Sequence, residues 1–191
     1  LYAGLLPWQF FARAATSGVG SVLGNSWILS QVAFPRAVLP VTAVLTGFVD
    51  FLAGSVVLLG MLVVMGHTPG LHLLWWPVAF APLLFLSLAA ALLLSALTVV
   101  LRDVQHAAPY ATRLLFLASP VLYPLTALTG IVHAVVAANP LTGALEAHRA
   151  AWIGGPVDLP LLAVSWVVGA GLLAVSAAVF RRLEPRFGDL L

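Results

Sequence analysis

Apolar residues run almost unbroken through five stretches of this chain, 5–23, 38–65, 76–100, 109–128 and 159–180, with polar positions gathered between them. A helix needs about 20 apolar residues to cross roughly 30 Å of hydrocarbon, so each run predicts one transmembrane helix. Pro77 and Pro82 stand at the start of the third run, while Pro120 and Pro124 require the fourth to kink or end near Tyr123. A sixth stretch, 131–155, is only moderately apolar and is broken by Asn139-Pro140 and Gly154-Gly155. It predicts helical pieces dipping into the membrane surface: Asn139 suits an N-cap, Pro140 the first helical position and Gly154 a C-cap. The linker 24–40 is amphipathic, with Trp27, Ile28, Val32 and Phe34 against Asn25, Ser26, Ser30, Gln31 and Arg36, and Pro35 breaks it. The expected fold is therefore an all-α membrane protein, with five transmembrane helices, one short amphipathic helix and a broken pair of outer helices.

Composition narrows the function. The 191 residues carry 8 Lys or Arg and 6 Asp or Glu, 62% are hydrophobic and the mean hydropathy is +1.12. Charged residues make up 7%, against the roughly 25% usual in soluble domains, which excludes a water-soluble enzyme. Every cation is Arg, and a phosphate-binding P-loop needs a Lys, so no ATP site of that kind can be built here. The absence of Cys removes disulfides, thiolate metal sites and Cys nucleophiles. His67 and His72 lie across a Pro-Gly turn and lack the spacing of a helical metal pair, and Gly-x-Ser-x-Gly is missing. The net charge of +2 rests on too few groups to imply nucleic acid.

Arginine placement sets the expected orientation. With the chain alternating, Arg36, Arg102, Arg181, Arg182 and Arg186 share one side, with Arg113 near it, and the positive-inside rule makes that side cytoplasmic. The C-terminus is then inside and Leu1 outside. The chain starts at Leu1 inside an apolar stretch, so one preceding membrane helix is expected, giving six in a full protein. Trp75, Trp76, Trp152 and Tyr123 are expected near the outer boundary.

Asp50 lies in the middle of the second run, about 18 Å from its cytoplasmic start, and Arg13 lies about 17 Å into the first by the same rise. An isolated charge there costs on the order of 3 kcal/mol, so the two are expected to be neighbours; the alternative is that Arg13 snorkels and hydroxyls such as Thr46 serve Asp50. Gly47 and Gly54 fit close helix packing. Glu146 and Arg149 are three apart and can pair, which suggests a gate or vestibule, or else a plain outer hairpin. The adjacent Arg102 and Asp103 form either a second cytoplasmic contact surface or a polar turn closed by Pro109.

The motifs LLPWQFFARA, GNSWILSQVAFPRAVLP, VDFLAG, LSALTVVLRDV, SPVLYP, NPLTGALEAHRAAWIGG and FRRLEPRFGDLL follow in one order over essentially the whole chain. Together they resemble the type-2 ABC exporter permeases that move lipid-linked polysaccharides such as O-antigen and teichoic acid. The resemblance implies a single transmembrane domain over 1–191, in a bacterial cytoplasmic membrane, lacking the N-terminal interface helix and first membrane helix of similar proteins. It implies a coupling helix, with Asn25, Trp27, Ile28, Gln31, Phe34, Pro35 and Arg36 fitting a separate ATPase subunit and Arg102 and Asp103 as a second contact. ATP and Mg would be bound by that partner and no cofactor by this chain. Two copies would enclose a channel for the glycan, lined by the first span with Trp8, Phe10, Phe11, Arg13 and Asp50. An outer gate would contain Pro120, Tyr123, Pro124, Asn139, Pro140, Glu146 and Arg149. Export of drugs or small lipids, and a membrane scaffold that transports nothing, are the alternatives.

Overall fold

In lipid a backbone must satisfy its own hydrogen bonds, and leucine- and alanine-rich runs do so as helices. The computed structural model describes residues 1–25, 35–67 and 70–187, and among them every regular element is helical. These are α1 (Tyr2–Ser21), α2 (Val38–Val64), α3 (Trp76–Val100), α4 (Val104–Leu117), α5 (Gly130–Ala137), α6 (Pro140–Ile153) and α7 (Leu159–Leu183). Single 3-10 turns occupy Leu23–Asn25, Leu71–Trp75, Leu125–Ala127 and Glu184–Arg186. Among the described residues, three helical stretches are long and apolar enough to cross a membrane: α2, α3 with the turn before it (Leu71–Val100), and α7.

The fourth run differs from expectation at both ends. Its helix starts at Val104, passes through Pro109 and stops at Leu117, where the expected span covered 109–128. Fourteen residues make a helix of about 21 Å, short of the hydrocarbon thickness. The apolar run continues past Leu117, but Pro120 and Pro124 lack the N–H groups that would extend the ladder.

The long helix α3 is the hub, packing against α1, α2, α6 and α7. Small residues allow the closest approaches. A Cβ on Gly18 of α1 would lie 2.5 Å from the Ala91 Cα of α3, and one on Gly143 of α6 would run into the Leu161 carbonyl of α7. A Cβ on Gly54 of α2 would strike the Leu6 side chain of α1, so the packing expected for that glycine is present.

The helices alternate in direction. One end gathers the C-terminal ends of α1, α3 and α7 with the start of α2, where Val22, Leu92, Ala96, Val99, Phe180 and Phe187 form a second small core. Asn25, Arg36, Arg102, Asp103, Arg181 and Arg182 belong to this arginine-rich end by their places in the chain. Segment 118–158 lies toward the other end. On α2 and α7, Val49, Val56, Val57, Val164, Val167 and Val175 are exposed, an apolar surface suited to lipid.

Candidate functional site

The first helix sorts its residues by face. Ala3, Leu6, Phe10, Phe11 and Ala14 are buried, whereas Gln9, Arg13, Thr16, Ser17 and Gly20 are exposed. Those exposed positions recur three or four apart and so form one stripe along α1. Beside it, α2 exposes Thr42, Thr46 and Asp50, each four from the last. The stripes are joined by an ion pair: Arg13 Nη1 lies 2.5 Å from Asp50 Oδ2. This is the neighbour relation expected from the matching depths. A Cβ on Gly47 would lie 3.9 Å from the Arg13 Cδ, an ordinary contact distance, so the arginine stem lies against α2 at this glycine.

The pair lies on the surface of the protomer, with side chains 55% and 49% exposed, although both residues sit well inside apolar helices. Hydrocarbon cannot solvate such a surface, so the face requires water or another polar protein surface. Next to it a groove of about 540 Å³ runs between α1 and α4, lined by Trp8, Thr16, Thr112, Arg113 and Phe116. The Arg113 guanidinium lies 5.9 Å from the Tyr110 ring centroid.

The aromatics of α1 are placed differently from expectation. Trp8, Phe10 and Phe11 are only 6%, 2% and 8% exposed. Phe10 packs against Phe51 and Phe80 with centroids 5.4 and 5.3 Å apart, and Trp8 against Phe116 at 5.4 Å. They serve the core, and only the Trp8 edge reaches the groove. Burying these rings contributes more than the polar face of α1 could, so the helix turns its polar residues outward. Gln9, Thr16, Ser17, Thr42 and Thr46 were missing from the sequence-derived site, although a polar period of 3.6 within apolar runs was there to be found.

At the opposite end the expected residues converge on α6. Asn139 caps the helix, its side-chain oxygen accepting from the Leu141 N–H at 3.0 Å, with Pro140 in the first turn and Gly154 at the C-cap with φ 85°. The Asn139 amide also donates to the Ala118 carbonyl at 3.2 Å and to the Ser119 hydroxyl at 2.9 Å. Arg149 pairs with Glu146 and donates to the Pro120 and Val121 carbonyls at 2.8 and 3.2 Å. Glu146 Oε1 accepts from the Leu125 N–H at 3.1 Å, and the Tyr123 hydroxyl donates to the Leu117 carbonyl at 3.3 Å. Two side chains of α6, Glu146 and Arg149, and its N-cap Asn139 thus hold the broken segment after α4. Pro124 stays exposed as the N-cap of the 3-10 turn at Leu125–Ala127. A cavity of about 400 Å³ lies between Leu125, Glu146, Arg149, Gly155 and Asp158.

Helix α6 is embedded and does not lie along a rim. Leu141, Ala144, Leu145, Ala147, His148 and Trp152 are all buried. It starts beside Ala118 and shares a pocket with Ala89, Ala90 and Leu172, about halfway along α3 and α7, and it ends where a Cβ on Gly154 would lie 3.4 Å from His72. Trp152 is buried and donates its indole N–H to His148 Nε2 at 3.2 Å. An indole only donates, so Nε2 must accept, and Nδ1 carries the proton donated to the Ala3 carbonyl at 3.1 Å. His148 is therefore neutral, held by one hydrogen bond at each ring nitrogen. Trp76, the first residue of α3, is half-buried and stacks on Phe80 at 5.5 Å.

At the arginine-rich end, Arg102 and Asp103 are exposed. Of the expected coupling residues, Trp27, Ile28, Gln31 and Phe34 lie outside the described residues. Among the described residues no group of three or more His, Asp or Glu could hold a metal ion.

The described residues thus set a polar face on apolar helices and a broken helix pair toward one end. In comparison with known proteins, residues 1–152 match the family model described as "ABC-2 type transporter". The chain belongs to the ABC-2 type transporter family. It is similar to the O-antigen export system permease protein RfbA of Klebsiella pneumoniae, 28% identical over 192 residues, covering 100% of this chain and 74% of that protein. The Myxococcus xanthus protein of the same name is 28% identical over 193 residues, covering 99% of this chain and 74% of its own length. As a member of the ABC-2 family the chain is a membrane permease component.

Proposed function

We propose that this chain is the permease subunit of an ATP-driven exporter that moves lipid-linked polysaccharide out across the bacterial cytoplasmic membrane. The observation that carries the reading is the hydrophilic face formed by Gln9, Arg13, Thr16, Ser17 and Asp50 within apolar spans. Two copies placed with these faces together would enclose a wet lane through the bilayer, and a polymer too long for an occluded pocket needs such a lane. The role of its relatives in O-antigen export supports a glycan as the cargo.

Five crossings complete the arrangement, the fourth made by the short helix α4 together with the broken segment that follows it, with α5 and α6 as a re-entrant pair that gates the outer mouth and 1–191 as a single transmembrane domain. Pro120, Tyr123, Pro124, Asn139, Pro140, Glu146 and Arg149 hold that gate together. The arginine-rich end is cytoplasmic, as is the C-terminus. There Asn25 to Arg36 receive the stroke of a separate ATPase, with Arg102 and Asp103 as a second contact. ATP and Mg act on that partner.

Reconstitution with a candidate ATPase in vesicles loaded with lipid-linked glycan tests the reading. ATP should bring the glycan to the far face, and changing the phosphate-binding Lys of the partner should stop it. Transfer that proceeds equally without ATP would reject the proposal.

A further inference from the structure

Two segments far apart in sequence, 35–37 and 183–187, meet at the arginine-rich end. The Arg36 backbone N–H donates to Glu184 Oε1 at 3.0 Å, and Arg36 Nη1 donates to the Glu184 carbonyl oxygen at 2.5 Å. Each side chain thus serves the other residue's backbone. The exchange suits both helices it joins. Helix α2 begins behind Ala37, which offers no capping side chain, and the Glu184 carboxylate stands at this positive end. Helix α7 ends at Glu184, where the Arg36 cation meets a terminal carbonyl.

Phe187 locks the arrangement. Its ring is fully buried, lies 5.9 Å below the Arg36 guanidinium and meets Phe180 edge-on at 5.5 Å. Around these two rings pack Val22 of the α1 terminus and Leu92, Ala96 and Val99 of α3, with Ala37 and Leu39 of α2 at the margin. A close-packed cluster passes displacement on and does not absorb it. A push on 35–37 therefore reaches four helices at once.

We propose that Glu184 and Phe187 are positioning residues for energy coupling, clasping Arg36 so that the stroke received by its segment moves the ends of α1, α2, α3 and α7 as a unit. This rests on the reading that the segment ending at Arg36 meets the ATPase. It adds that the Arg36 guanidinium acts inside the chain and not on the partner.

The test uses the permease–ATPase complex in vesicles. Glu184→Ala and Phe187→Ala should still assemble with the ATPase and support hydrolysis, while export falls by roughly tenfold, within the range of measured coupling between sites. Glu184→Gln, whose amide oxygen can still accept, should retain more export than the alanine variant. The double variant Arg36→Ala/Glu184→Ala should be no worse than Arg36→Ala alone, since both break one device. Full export by Glu184→Ala, multiplicative losses in the double variant, or loss of ATPase assembly would each overturn the proposal. Hydrogen exchange separates this from the functional reading: in Glu184→Ala, protection should drop together at 36–40 and 180–187 and stay unchanged in α6. If the wild-type complex exports nothing under ATP, the functional reading and the coupling role both fall. Unchanged exchange would instead show that the clasp does not hold.

Discussion

Arg13 and Asp50 show how depth alone can identify a pair. Counting 1.5 Å per residue from each helix end put them at one level, and they meet at 2.5 Å. Both side chains are about half exposed on a face that must be wet, so Asp50→Ala should destabilise the folded protein by no more than about 1 kcal/mol, and Arg13→Ala/Asp50→Ala should recover most of that loss. Thermal unfolding in detergent checks both variants. No sequence signal marked His148, because its partner is the backbone of Ala3 at the far end of the chain.

Elements with local causes were legible before the structure was known. The caps of α6 came from Asn139, Pro140 and Gly154, the Glu146–Arg149 pair from helical spacing, and three of the five spans from apolar length alone. The fourth span misled because hydrophobicity continues beyond the prolines that end its helix, and composition does not report where a ladder stops. The α1 aromatics misled for a different reason: a ring that can stack on a sugar packs equally well on another ring, and Phe51 and Phe80 were nearer. The contacts of Arg36 with Glu184 span 148 residues, and no period or motif encodes such a distance. At this scale the tightest element contact is testable. Gly143→Leu must push α6 away from the Leu161 carbonyl, at a cost of about 1–3 kcal/mol for overpacking. Its unfolding temperature should fall well below that of Gly60→Ala, a glycine with open space around it.

In the whole molecule, the polar face of α1 and α2 must be wet and the valine-rich face of α2 and α7 must meet lipid. The chain has no cysteine, so single cysteines report without background. In the proposed pairing the two copies bring their Ser17 residues toward one lane, and Ser17→Cys should cross-link under oxidation while Val167→Cys should not. Failure of Ser17→Cys to cross-link, with Val167→Cys forming dimers, would reverse the proposed interface. The most direct measurement is labelling of Cys at positions 9, 13, 16 and 17, against 56, 164 and 167, by a charged, membrane-impermeant thiol reagent in the assembled complex. The account predicts reaction along the first set and silence along the second. Silence along the first set, or equal labelling of both, would contradict a hydrophilic passage on this face.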